Sequence, residues 1–251
     1  MSVFEIVSLS LAGLAAGATN AVVGSGTLIT FPVLLAFGYP PVAANVANTI
    51  GLAPGSASGA WGYRSFLAGQ RGSAIPLAAS SALGGAIGAV LLLVLPASSF
   101  AQIVPAFIAL ALTLTVLQPR LAPRFQKHGS VIPSGRGAVA IVAVFASAVY
   151  GGYFGAGQGI ILIAILAVLL AQDLQRANAM KTVLTASVNG VAGIYFLLAA
   201  HVEWAPAATI AVTSIIGAQF GARFAKRLRP SSLRAIIVGV GIFALVDLLA
   251  G

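Results

Sequence analysis

Ten apolar runs fill this chain, at residues 3 to 22, 26 to 37, 41 to 62, 73 to 95, 98 to 118, 137 to 154, 157 to 171, 177 to 200, 205 to 222 and 232 to 250. Hydrocarbon offers no partner to an unpaired peptide group, so runs of this kind can fold only as helices that satisfy their own backbone. A full crossing takes about 20 apolar residues. The runs at 26 to 37 and 157 to 171 fall short of that length. They read as half-helices that meet their neighbours at mid-depth, or as tilted short spans. The expected fold is all-α: a polytopic transmembrane bundle whose helices break or re-enter at glycine-rich motifs.

Charge then sets the orientation. Only 7% of residues are charged against 59% hydrophobic, so the ionic groups can be located one by one. The acids are Glu5, Asp173, Glu203 and Asp247, while thirteen Lys or Arg crowd into a few short loops. Bases clustered between apolar spans are a topology signal, so the net +9 implies no nucleic-acid partner. The cluster from 223 to 234 also suits contact with anionic membrane lipids. The one long polar stretch, "QPRLAPRFQKHGSVIPSGRG" at 118 to 137, divides the chain into a first membrane repeat (1–117), a basic linker (118–136) and a second membrane repeat (137–251). The N-terminal run has no basic residues before it and reads as a retained membrane segment.

The halves can be laid over each other. At an offset of 131 residues Gly24-Ser25-Gly26 falls on Gly155-Ala156-Gly157, and Thr27 falls on Gln158. After a two-residue insertion "ANVANTI" (44–50) falls on "ANAMKTV" (177–183), which pairs Asn45 with Asn178, Asn48 with Lys181 and Thr49 with Thr182; Ser56 then meets Asn189. Arg64 and Arg71 follow the Asn-rich helix of the first half, whereas His201 and Glu203 follow that of the second; the bias reverses between the uncharged "LPASSF" (95–100) and the basic 223 to 234. If bases face the cytoplasm, equivalent loops lie on opposite sides. The halves are then inverted-topology repeats with both termini outside and the linker inside. Five crossings per half satisfy this, and so do three with a re-entrant hairpin.

A glycine break at membrane depth must be buried or line a cavity, and free amides at a half-helix start carry partial positive charge. Two such ends facing each other make an anion site. The alternative is tight helix packing by small residues. Thr19, Asn20, Ser25, Thr27 and Gln158 favour the site, since packing needs no hydrogen-bonding groups.

The blocks "NAVVGSGTLITFPVLLAFGYPPVAANVANTIGLAPGSASGAWGYR" and "YGGYFGAGQGIILIAILAVLLAQDLQRANAMKTVLTASVNGVAGIYF" resemble the two signature blocks of the TauE/SafE family of sulfite and organosulfonate permeases, over nearly the whole chain. The resemblance implies a multi-pass plasma-membrane permease that moves small sulfur-containing or carboxylate anions, usually outward. The sequence departs from the family's triple glycine at Gly24-Ser25-Gly26 and Gly155-Ala156-Gly157, and from its Ala-Thr-Ser at Ala47-Asn48-Thr49 and Met180-Lys181-Thr182.

The candidate substrate-binding residues are therefore Thr19, Asn20, Gly24, Ser25, Gly26, Thr27, Asn45, Asn48, Thr49, Gly155, Gly157, Gln158, Asn178, Lys181 and Thr182. Lys181 stands out because an intramembrane cation would pair with an anionic substrate. The alternative is that it snorkels to the interface beside Asp173 and Arg176. Asn45 and Asn178 are read as lining the cavity, Asn189 as bridging helices, and Arg64 beside Trp61 as an interfacial anchor. With no cysteine, no histidine in any span and no HExxH or GxSxG, no enzyme, cofactor or metal centre is expected. A channel or uniporter is the nearer rival to a carrier, a scaffold the more distant one. A homo-oligomer is compatible with the sequence.

Overall fold

The computed structural model describes residues 1–126, 136–170, 172, 174–224 and 230–250, and every regular element among them is helical. The first half contributes α1 (Val3–Val22), α2 (Thr27–Ala36), α3 (Pro41–Gly62), a 3-10 turn at Arg64–Leu67, α4 (Arg71–Val94) and α5 (Ala97–Gln126). The second contributes α6 (Arg136–Tyr153), α7 (Gln158–Leu169), α8 (Leu174–Ala199), α9 (Trp204–Phe224) and α10 (Pro230–Ala250). The stretch read as a linker from 118 thus begins as helix, because α5 continues to Gln126; residues 127–135 lie outside the described ones, as do Asp173, Lys226, Arg227 and Arg229.

Five helical stretches are long and apolar enough to cross a membrane: Val3–Val22, Gly72–Val94, Ala97–Pro119, Gln175–Ala199 and Trp204–Phe224. Large apolar side chains on their outer faces, among them Phe4, Leu11, Ile75, Val94 and Leu198, are exposed. A lipid-facing surface has that composition, whereas one facing water would not. The two short helices are the reverse: α2 and α7 bury most of their side chains, including Phe31, Leu34, Leu162 and Leu166. At 1.5 Å per residue they span about 15 and 18 Å, roughly half of a hydrocarbon core.

Each short helix folds back along the helix before it. A side chain at Gly26 would strike Ala16 and Asn20 of α1, so α2 starts near that end of α1; Phe37, just past its far end, meets Phe4 edge to face at 6.0 Å, and the Tyr39 hydroxyl donates to Glu5 at 2.6 Å. After the glycine break α2 therefore folds back antiparallel along α1. In the second half Gln158 opens α7 against Ser147 and Gly151 of α6.

The helices of the two halves are interleaved. α4 packs between α6 and α8 of the other half, and α9 packs between α1 and α3. These contacts are made at corresponding residues. A side chain at Gly84 would strike the Phe145 carbonyl and one at Gly88 the Val149 carbonyl; 133 residues later Gly217 lies on the Leu14 carbonyl and Gly221 on that of Ala18. α3 and α8 pack directly and run antiparallel, since Ile50 and Ala53 lie beside Gly193, Ser56 beside Asn189, and Gly59 near Thr185.

Glycine at these crossings serves close approach, because in a bilayer helices are held by packing rather than by a hydrophobic drive between them. Gly88→Ala and Gly221→Ala place a Cβ within 2.1 and 2.8 Å of neighbouring backbone, whereas Gly72→Ala meets nothing within 4 Å. The first two are expected to lower stability by about 1–3 kcal/mol each and Gly72→Ala to be near neutral. Thermal unfolding of the purified variants in detergent checks this ordering.

Candidate functional site

The two helix breaks touch. Gly24 and Gly155 sit at φ +90° and +78°, and Gly157, which starts α7, at +73°. These left-handed conformations strain any residue with a Cβ. The Gly159 amide then donates to the Gly24 carbonyl at 3.1 Å, a backbone bond between the halves. A Cβ on Gly24 would lie 2.6 Å from the Gly159 Cα, and one on Gly159 2.5 Å from the Gly24 Cα. Gly26 differs: its φ is −60°, and what it requires is room beside the Ala16 carbonyl.

Each break leaves carbonyls at a helix end inside the protein, and the other half satisfies them. Asn178 Nδ2 donates to the Ala21 carbonyl at 3.1 Å, and Lys181 Nζ to those of Asn20 and Ala21 at 2.8 and 3.2 Å. Asn45 Nδ2, the counterpart of Asn178, donates to the Tyr153 carbonyl at the end of α6 at 3.0 Å. Lys181 is 1% exposed, so it does not snorkel to the interface. A cation at a helix carboxyl end is favourably placed against the helix dipole. Its counterpart Asn48 instead binds within its own half, accepting from Thr30 Oγ1 and donating to Thr27 Oγ1 at 3.4 Å.

The remaining predicted residues gather around these ends. Thr19 Oγ1 donates to the Ala15 and Ala16 carbonyls, Gln158 Nε2 to that of Ser147 and Thr182 Oγ1 to that of Ala179; Thr49 is buried in α3. Among the predicted residues Ser25 Oγ and Asn45 Oδ1 are buried without a partner, while Asn178 lies against the Tyr63 hydroxyl. Among the described residues the amides of Ser25, Gly26, Ala156 and Gly157 donate to no backbone carbonyl. Buried groups of this sort normally find a partner, so this cluster retains unused capacity to bind a polar ligand.

Two features go beyond the sequence reading, although Asn189 bridges helices as expected. One is a hydrogen-bonded node: Ser56 Oγ accepts from Asn20 Nδ2 at 3.2 Å and from Asn189 Nδ2 at 3.0 Å, beside a cavity of about 10 Å³ bordered by Asn20, Gly55, Thr182 and Thr185. The pairing of Ser56 with Asn189 between the repeats was its signal. The other is an aromatic cluster by the first turns of α3, in which Phe31, Phe100, Phe107, Tyr150, Tyr153 and Phe154 pack ring on ring at 5.1 to 6.5 Å. At the other end of α3 an open groove of about 480 Å³ runs between Ala57, Ala60, Trp61 and Arg64 on one side and Val183, Ala186 and Ser187 on the other. Arg64 lies over the Trp61 ring at 4.7 Å and donates to its carbonyl, as an interfacial anchor would.

The family model for the sulfite exporter TauE/SafE matches residues 9–248. The chain belongs to the TauE/SafE family. Relatives of this TauE/SafE protein include the probable membrane transporter protein ORF9 of Sinorhizobium sp., 27% identical over 96% of this chain and 91% of that one. A probable membrane transporter protein of Haemophilus influenzae is 28% identical over 90% and 87%, and YfcA of Escherichia coli K12, also a probable membrane transporter protein, is 26% identical over 89% and 81%. No solved structure matches it. With its five long apolar helices, it is a multi-pass membrane protein of a transporter family.

Contact between the breaks can be separated from backbone strain in this TauE/SafE chain. Gly38 has φ +85° but open space around it. Gly38→Ala is expected to cost about 1 kcal/mol, the strain alone, and Gly24→Ala at least about 2 kcal/mol more, because the halves must separate there. Thermal unfolding in detergent measures the difference.

Proposed function

We propose that this protein is a plasma-membrane permease that exports small anions, sulfite, sulfonates or related sulfur-containing and carboxylate anions, by alternating access. The observation that carries the reading is the buried polar cluster where the two breaks cross, which combines a lysine bonded to no carboxylate among the described residues, unpartnered acceptors and free amides. In hydrocarbon such a cluster is costly unless it serves a substrate. The residues that bind it are, on this reading, the predicted set around Gly24-Ser25-Gly26, Asn45, Gly155, Gly157, Gln158 and Lys181.

The packing supports inverted repeats. Equivalent helices α3 and α8 run antiparallel, the crossing glycines recur 133 residues apart, and α2 and α7 are too short to cross. We read each half as three crossings plus a re-entrant pair, α1–α2 and α6–α7. On this reading, with bases inside, both termini and the Tyr39 turn face outward and the 118–136 linker faces the cytoplasm.

A contact at one end and a charge approach at the equivalent place on the other suit alternating access. On one side Gln172 Nε2 donates to Gln70 Oε1 at 2.9 Å, joining the α7–α8 turn to the start of α4. The corresponding positions 133 residues away are Tyr39 and Glu203. Glu203 lies close enough that its charge, after burial and the Glu5 hydrogen bond, helps push the Tyr39 phenol up to about 12, so Tyr39 stays a donor. A carrier needs one such closure at each mouth; a channel needs neither.

Transport in purified liposomes is expected to saturate with substrate and to follow an imposed membrane potential, because no carboxylate is described near Lys181 to carry a coupled proton. Each charge leaving a cell 100 mV negative inside gains about 2.3 kcal/mol. Single-channel currents, or flux that ignores potential and follows a pH gradient, would overturn this mechanism. Topology is checked with Ser98→Cys and Ser231→Cys, equivalent exposed positions in a chain without cysteine. An impermeant thiol reagent outside intact cells is expected to label the first and not the second; equal labelling would remove the inverted arrangement.

A further inference from the structure

The Ser56 node lies where the two halves meet on equivalent residues. Ser56 and Asn189 occupy corresponding positions in α3 and α8, and they bond to each other directly. Any two-fold relation between the halves passes through that bond, at a point that neither mouth is closer to by construction. Ser56 is 5% exposed. Its oxygen accepts two amide N–H groups, and among the described residues its own hydroxyl donates to nothing. A serine can give one proton, and here that proton remains unused.

A cation stands next to it. Asn20, which donates to Ser56, offers its own carbonyl to Lys181 Nζ, so the ammonium and the hydroxyl sit on two ends of one residue. Two of the three ammonium protons go to helix-end carbonyls and the third is left over. The Lys181 stem passes Gly24, where its Cδ would lie 3.3 Å from an added Cβ.

The charge balance is countable. At the break the carboxyl end of α1 and the amino end of α2 lie within a few residues of each other, and their partial charges of about −0.5 and +0.5 oppose. Among the described residues at the break, what remains is the positive charge of Lys181. One ammonium balances one negative charge; a second would be buried without a partner, at a cost of several kcal/mol. We propose that the Ser56–Asn20–Asn189 node, with Lys181 behind it, seats the head group of a singly charged oxyanion and discriminates against dianions. This rests on the transport reading above and narrows its substrate class. The cavity of about 10 Å³ has room for one water, so the head group enters only when α8 moves slightly away from α1 and α3.

The test uses methanesulfonate and sulfate, oxyanions of similar geometry that carry one and two charges across neutral pH. Binding to the purified full chain is followed by thermal shift and calorimetry, and flux by tracer in liposomes. Methanesulfonate is expected to bind at least about tenfold more tightly than sulfate, and Ser56→Ala to weaken it about tenfold, with Ser56→Thr recovering most of the loss. Lys181→Met is expected to abolish it. The anion competition needs no variant, so it stands even if Lys181→Met fails to fold. Equal or tighter sulfate binding, or a folded Ser56→Ala protein within twofold of the parent, overturns this inference while anion flux by the parent leaves the permease reading intact. A parent that binds and moves no anion of either class overturns both.

Discussion

The architecture turns on one backbone hydrogen bond, from the Gly159 amide to the Gly24 carbonyl, where two interrupted helices cross. An interruption at membrane depth exposes peptide groups to a medium that cannot hydrate them. Here each interruption is covered by the other. That solution demands backbone against backbone, and the 2.5 and 2.6 Å clearances leave no space for a Cβ on either side. Once the breaks are locked together, the carbonyls at the ends of α1 and α6 must also be met, and the reach of Asn178, Lys181 and Asn45 from the opposite half follows from it.

Interleaving is the second consequence. Because the break of each half is covered by the other half, neither can bury its own short helix alone. α4 and α9 cross over to complete the exchange, each resting on the first and third helices of the opposite half. In a bilayer this packing is driven by contact, so small residues recur where the helices cross, at Gly17, Gly84, Gly88, Gly217 and Gly221. The same glycines that look like a generic membrane composition are assigned, one by one, to a carbonyl of the partner helix.

Much of this was legible in the sequence because the repeat carries its own register. The offset of 131 that aligned Gly24 with Gly155 also aligns the ends of α1 and α6 and the starts of α2 and α7; the offset of 133 aligns the starts of α4 with α9 and α5 with α10. What no offset could reveal is which half supplies the partner. Lys181 was found by its counterpart Asn48, yet the two behave differently: the longer side chain crosses to α1, and the shorter stays with Thr27 and Thr30. The polar, proline-rich "QPRLAPRFQ" gave no helical signal, yet it continues α5 to Gln126 beyond the apolar span that ends at Pro119. The aromatic cluster left no periodic trace, as its rings come from α2, α5, the end of α6 and the turn after it.

That cluster is where the halves stop being alike. Phe31, Phe100, Phe107, Tyr150, Tyr153 and Phe154 correspond in the other half to Leu162, Leu233, Val240, Thr19, Val22 and Val23. The rings interlock and their edge-to-face contacts add to their burial, whereas the corresponding positions of the other half carry slim aliphatic and hydroxyl side chains. A symmetric pair of halves would give two arrangements of equal energy. Interlocked rings in one set and slim side chains in the other remove that equivalence, so the two arrangements of this chain differ in energy.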